Sequence, residues 1–235
     1  MTEHSFTGFD VQLDVIRTNL ARMGSLVEDQ IRTAIAAFAN IDEQLTEMVI
    51  ARDTSIDRLE VGIDELCAQA VARQQPAAID LRLLMGIGKI VTDLERIGDE
   101  AKKIARAAQT MRGSSANGWK GRFADIPALG DRVASMLHAA LDAFARLDVT
   151  AAAPVAQSGQ EIEQGFREIS RRLVGQMIDD PRTISAALEA ILVAKSVERI
   201  GDHCRNIALE VIYISSGRDV RHLDLNMLDS ELKSR

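Results

Sequence analysis

Met23-Gly24, Val27, Ala34, Ala37-Phe38-Ala39 and Asp42 recur as Leu129-Gly130, Val133, Ala140, Ala143-Phe144-Ala145 and Asp148, each pair 106 positions apart. A match of this length at one offset marks an internal duplication, and two halves descended from one unit are obliged to fold alike. Ile56-Asp57 and Ile162-Glu163 keep the offset. Glu95-Arg96-Ile97-Gly98-Asp99, however, returns as Glu198-Arg199-Ile200-Gly201-Asp202 after 103 positions, so three residues are missing from a loop in between.

The repeated unit reads as helix throughout. Aromatic residues make up 3% of the chain and there are 4 prolines, while hydrophobic content reaches 46%, a balance that suits helices with an ample core and gives few β-rich stretches. In the first half, apolar periodicity predicts helices over roughly Phe9 to Asn40, Asp42 to Arg73 and Pro76 to Thr110. In the second it predicts Ile126 to Asp148, Thr150 to Ile178 and Pro181 to Ser215. Pro76 and Pro181 are expected in the first turns of their helices, with Asp180 as an N-cap. The Gly/Ser-rich stretch from Arg112 to Gly121 is the natural linker, with Trp119 anchoring it. The expected architecture is all-α: two tandem three-helix bundles over residues 1–111 and 122–235, separated by a linker at 112–121.

Bulk properties exclude several functions. A net charge of −7 argues against nucleic-acid binding, which needs a basic face. Cys67 and Cys204 stand far apart, outside any CxxC spacing, and are expected to be reduced core residues. The acidic amino terminus lacks a signal-peptide core, and no 18 uncharged apolar residues run together, so a soluble cytoplasmic protein is expected. There is no GxSxG, P-loop or Cys/His nucleophile arrangement. His203 lies five residues after Glu198, where a ferritin-like di-iron helix needs ExxH, and His4, His138 and His222 are scattered. An enzyme is not expected.

The chemistry lies in the carboxylates. Glu95 and Asp99, four residues apart, share a helix face and repel unless a cation lies between them; Glu198 and Asp202 repeat the arrangement. Both pairs fall off the seams formed by Leu83, Ile87, Ile90, Leu94, Ile97, Ala101 and Ile104 in one copy and Val193, Val197, Ile200, Cys204, Ile207 and Val211 in the other, which predicts surface sites. On the preceding helix Asp53, Asp57, Glu60 and Asp64 form an acidic stripe beside Ile56, Leu59, Ile63 and Leu66. If the stripe adjoins Glu95 and Asp99, hard oxygen ligands converge, suiting iron, manganese, magnesium or calcium, with zinc also accommodated. The bland alternative is a solvated face in which Asp99 pairs with Lys103 and Lys89 with Asp93. Mid-helix Gly98 and Gly201 predict a close backbone approach by a neighbouring helix or a ligand.

LERIGDEAKKIA and VERIGDHCRNIALEVIY, with QQPAAIDLR, DDPRTI and SSGRDVRH, closely resemble the PhoU family of phosphate-signalling regulators, in order and over nearly the whole chain from Phe9 to His222. The resemblance implies two tandem three-helix bundles whose E/DxxxD motifs hold multinuclear iron or zinc, here at Asp53, Asp57, Glu95, Asp99, Glu198 and Asp202. In the fifth helix Gly159 stands where a carboxylate is expected and Glu163 holds the second position; Glu60 and Asp64 are matched by Phe166 and Ser170, so the first repeat should hold metal better than the second. The resemblance further implies a cytoplasmic homodimer that restrains the phosphate-starvation response. It would link a phosphate ABC transporter ATPase to a sensor histidine kinase, touching the membrane only through these partners. A carboxylate-rich metalloprotein for metal storage or redox chemistry is the alternative.

Overall fold

The computed structural model describes residues 8–112 and 123–220, and these are almost entirely helical. Helices α1 (Gly8–Asn40), α2 (Glu43–Gln74) and α3 (Ala78–Arg112) form the first bundle; α4 (Asp125–Arg146), α5 (Val149–Asp179) and α6 (Ile184–Ser216) form the second. Positions 113–121 of the expected linker, Trp119 included, lie outside the described residues, as do His4 and His222.

The duplication is visible in the turns. Asp42 and Asp148, 106 positions apart, cap α2 and α5 alike: each side chain accepts a backbone N–H three residues on, from Leu45 and Ala151, both at 3.0 Å. Each cap is worth about 1 kcal/mol. The residues before them, Ile41 and Leu147, take left-handed backbone at φ 53° and 49°. The N–H of each Asp reaches back to a carbonyl five residues earlier, Ala37 and Ala143, at 2.9 Å, which closes the preceding helix in a Schellman turn. A branched Ile at positive φ is unfavourable, so tertiary packing holds that turn.

Two boundaries differ from expectation. Pro76 precedes α3, which begins at Ala78, because Ala77 supplies the first helical carbonyl, to the Leu81 N–H at 2.9 Å. Pro181 opens a 3-10 turn over Pro181–Thr183 rather than α6 itself, and Asp180 caps that turn by accepting from the Arg182 N–H at 3.2 Å.

The seam residues on α3 and α6 are buried as expected, and the cysteines with them. Burial pushes the Cys67 thiol up to about 11 and the Cys204 thiol higher still. What the seams do not reveal is that α3 also packs against α6, and α1 against α4, joining the bundles. The junction is pseudo-symmetric. A Cβ on Gly24 of α1 would meet Leu141 of α4 at 2.6 Å, and a Cβ on Gly130 of α4 would meet Ile35 of α1 at 2.6 Å; the two contacts exchange under the duplication. Gly98 and Gly201 serve within the bundles: added Cβ atoms would lie 3.3 Å from Ile56 Cδ1 and 2.9 Å from Ile162 Cγ2. At both glycines a neighbouring helix makes the expected close approach.

Candidate metal centre

Close packing of α2 on α3 at Gly98 brings the acidic stripe beside the repeated motif. Asp53, Asp57 and Glu60 on α2 face Glu95 and Asp99 on α3, and the charges act on one another. Burial first, then the charges of Asp53 and Asp99, lifts Asp57 above the ordinary carboxylate range against the pull of Lys102. Burial, then Glu95, Asp64 and Asp57, lifts Glu60. Burial, then Asp99 and Asp57, lifts Glu95 against Arg96 and Lys102. Burial is the first cause of each rise and neighbouring negative charge the next, and it is the second of these that a hard cation would relieve.

One cation is already present. The Lys102 ammonium bridges the helices, bonding the Asp53 carboxylate of α2 and, at 2.8 Å, Oδ1 of Asp99 on α3. Its side chain is 20% exposed and that of Asp53 only 11%. Lys102 thus ties α2 to α3 through the same two carboxylates that the sequence offers as ligands. Among the described residues no group of three or more His, Cys, Asp or Glu side chains is arranged to hold an ion. The donor set itself, all carboxylate oxygen, fits iron, manganese or magnesium, and zinc less selectively.

The corresponding place in the second repeat has different chemistry. Glu198, placed on the surface by the sequence reading, is buried and bonded to Lys195 Nζ at 2.5 Å. Lys195 also lies over the Phe166 ring, 5.2 Å from its centroid. Phe166, at the position matching Glu60, thus helps to seat a cation that neutralises Glu198. Asp202 is exposed as a residue, but partial desolvation of its carboxyl by the surrounding helices, then the Glu198 charge, raises it despite Lys195, Arg205 and His203. Arg205 matches Lys102 in the repeat, but one of the two carboxylate partners is gone: Gly159 replaces Asp53, and the Arg205 stem lies over it, Cδ 3.2 Å from where a Cβ would stand. The Arg205 Nε is buried without a partner. Glu163, more than half exposed, pairs with Arg167 on its own helix at 3.4 Å.

Neither of the simple helical pairs forms. Lys103 bonds Glu100 at 2.7 Å rather than Asp99, and Lys89 reaches Glu210 of α6 at 3.0 Å rather than Asp93. Asp93 instead accepts from Asn206 at 3.3 Å and meets His203 Nδ1 at 2.7 Å, both on α6. Sequence reasoning missed Lys102 and Arg205, although a base three residues after the motif's Asp in both copies was there to be read.

Fold and site together define a duplicated six-helix protein with an acidic interhelical face in its first repeat and, in the second, a counterpart whose Glu198 is paired with Lys195. The PhoU domain model matches residues 20–108 and 126–211, the two halves in turn. The "Phosphate-specific transport system accessory protein PhoU homolog" of Pseudomonas putida is 43% identical over 99% of this chain and 90% of its own length. The crystal structure of PhoU from Pseudomonas aeruginosa superposes with a TM-score of 0.84 at 43% identity, covering 89% of this chain and 100% of that one. The phosphate transport system regulatory protein PhoU from Streptococcus pneumoniae gives 0.81 at 27% identity over 90% and 99%. The chain belongs to the PhoU family.

Proposed function

We propose that this protein is a non-enzymatic accessory of a phosphate ABC transporter, which holds the phosphate-starvation response in check by linking the transporter ATPase to a membrane sensor histidine kinase. The observation that carries this reading is family membership across both repeats, with relatives named as accessory and regulatory proteins of phosphate transport. The architecture suits the role. Two rigid bundles joined along α3 and α6 present extended helical faces, and no described helix is long and apolar enough to cross a membrane. Contact with the membrane would therefore run through the partners from the cytoplasmic side.

The first-repeat carboxylates would hold the metal. Bound there, iron or zinc would cross-link α2 to α3 through Asp53, Asp57, Glu95 and Asp99, the task Lys102 performs in its absence. Glu198, Asp202 and Glu163 would bind more weakly, since Lys195 and Arg167 already pair with two of them. Homodimerisation completes the proposal.

A deletion strain grown in phosphate-rich medium tests the regulatory reading: starvation genes should be expressed there, and affinity isolation of the protein from such medium should recover the ATPase and the kinase. Normal repression together with absence of both partners would overturn it.

A further inference from the structure

We propose that the groove between the C-terminal half of α3 and the N-terminal half of α6 binds a phosphate oxyanion that still carries a proton. The groove is a cavity of about 400 Å³ at the bundle junction, within the size range of small-ligand sites. It is remote in character from the acidic face on α2: Lys103 and Arg106 line it from α3, Lys195 and Arg199 from α6.

Lys195 is already paired with Glu198, but the other three keep donors to spare. Arg106 is exposed and its guanidinium has no hydrogen bond or ion pair among the described residues. Arg199 and Lys103, 53% and 52% exposed, share a single carboxylate oxygen, Oε1 of Glu100, at 3.3 and 2.7 Å. Each therefore keeps further N–H donors for a ligand, and a guanidinium fork is matched to oxyanions. Glu189 also lines the groove, as an opposing charge.

Glu100 decides which oxyanion fits. Its side chain is 7% exposed, and its second oxygen, Oε2, is buried with no hydrogen-bond partner. Ser196 of α6 lies against the same carboxyl. An ionised carboxylate offers acceptors alone. A fully deprotonated anion such as sulfate would meet it lone pair to lone pair, whereas hydrogen phosphate brings a P–OH that can donate to the orphan oxygen while its other oxygens accept from Arg106 and Arg199. Access needs Lys103 or Arg199 to swing aside toward the ligand, which their exposure allows.

The duplication supplies an internal control. Positions 93 and 196 match across the repeats, as do 100 and 203, so the Glu100–Ser196 contact is the counterpart of His203–Asp93 at the other end of the same interface. At that other end the polar atoms satisfy one another, with Asp93 Oδ1 meeting both His203 and Asn206. A purely structural junction would be expected to close both ends. Here one end keeps an unpartnered acceptor, a free Arg and a cavity.

The test uses the full-length, metal-stripped protein at pH 7, titrated calorimetrically with inorganic phosphate, with sulfate at matched ionic strength and with adenosine monophosphate. Phosphate should bind saturably and at least about tenfold more tightly than sulfate, the discrimination expected of one buried acceptor. Arg106→Ala, on an exposed position that should leave the fold intact, should weaken phosphate about tenfold by removing a charge-assisted bond. Glu100→Gln, which turns an acceptor-only group into one that can donate, should erase the preference over sulfate. Tighter binding of adenosine monophosphate than of phosphate would assign the site to a phosphomonoester. No saturable binding of either phosphate, or equal binding of phosphate and sulfate by the unaltered protein, would overturn the proposal. Because the purified chain alone is read, that failure would leave the transporter reading untouched.

Discussion

Replacing Lys102 with Met separates a metal site held open by its own lysine from a static salt-bridge network. Met preserves the apolar stem and deletes the ammonium that bonds Asp53 and Asp99. Removing one partner of a fully buried ion pair costs about 3–5 kcal/mol. Here the lysine is 20% exposed and Asp99 31%, and solvent screening reduces the expected loss to about 1–2 kcal/mol. For a chain of this size each kcal/mol moves Tm by roughly 2–4 °C, so the metal-free variant should melt several degrees lower. The same deletion removes the internal competitor for a metal ion. If evicting Lys102 costs the unaltered protein about 1.4 kcal/mol, the variant should bind manganese about tenfold more tightly, and manganese at a hundred times its Kd should return about 2.7 kcal/mol, more than the substitution removed. Differential scanning calorimetry with and without manganese, paired with isothermal titration, reads both effects. A variant that loses stability and is not rescued, or one that binds manganese no better, would refute Lys102 as the metal's competitor.

Further outcomes follow from the same geometry. Gly201→Ala should destabilise by roughly 1–3 kcal/mol through overpacking against Ile162, whereas Gly62→Ala and Gly175→Ala, with nothing within 4 Å of the new methyl, should each stabilise by about 0.5–1 kcal/mol in thermal melts. Glu60→Gln should stabilise the metal-free protein by a few tenths of a kcal/mol at pH 7, as expected for relief of like charges. Because the folded state raises Glu60, its ionised form is the costly one. The gain should therefore be lost as pH falls through the raised value, and be gone below about 4.3, where the unfolded group is also protonated; a gain that persisted at pH 3 would point to packing instead of charge.

The seams and the duplication were legible because apolar periodicity is a local, repeated signal: each α3 and α6 seam position proposed from spacing is buried. Glu95 and Asp99 were legible as a pair for the same reason, and the adjoining stripe through Asp53 and Asp57 as a conditional neighbour. The identity of the cation between them was not. Lys102 reads as one more base on a helix rich in them, and only the α2–α3 crossing at Gly98 shows that its ammonium reaches across to Asp53. Lys89 and Lys103 mislead in the opposite direction. Spacing offers each an acid four residues away, yet the second face of α3 is turned to α6, where Glu210 and the buried edge at Glu100 are better partners.

The two repeats have diverged where packing does not hold them. Gly24 and Gly130, Gly98 and Gly201, and Asp42 and Asp148 all keep their roles, because each fixes a helix crossing or a turn whose loss would disturb a whole bundle. Asp53 and Gly159, Glu60 and Phe166, and Glu100 and His203 occupy matched positions off the apolar seams and have exchanged charge, ring and size. Lys102 and Arg205 remain basic through that change. The base is thus common to both copies, while one of its two carboxylate partners, Asp53, has no counterpart in the second repeat and the other, Asp99, is matched by Asp202. Arg205, with Nε buried and unbonded, has no carboxylate at position 159 to meet it. Supplying one as Gly159→Asp should draw Arg205 into an ion pair, since only its flexible stem at 3.2 Å needs to yield.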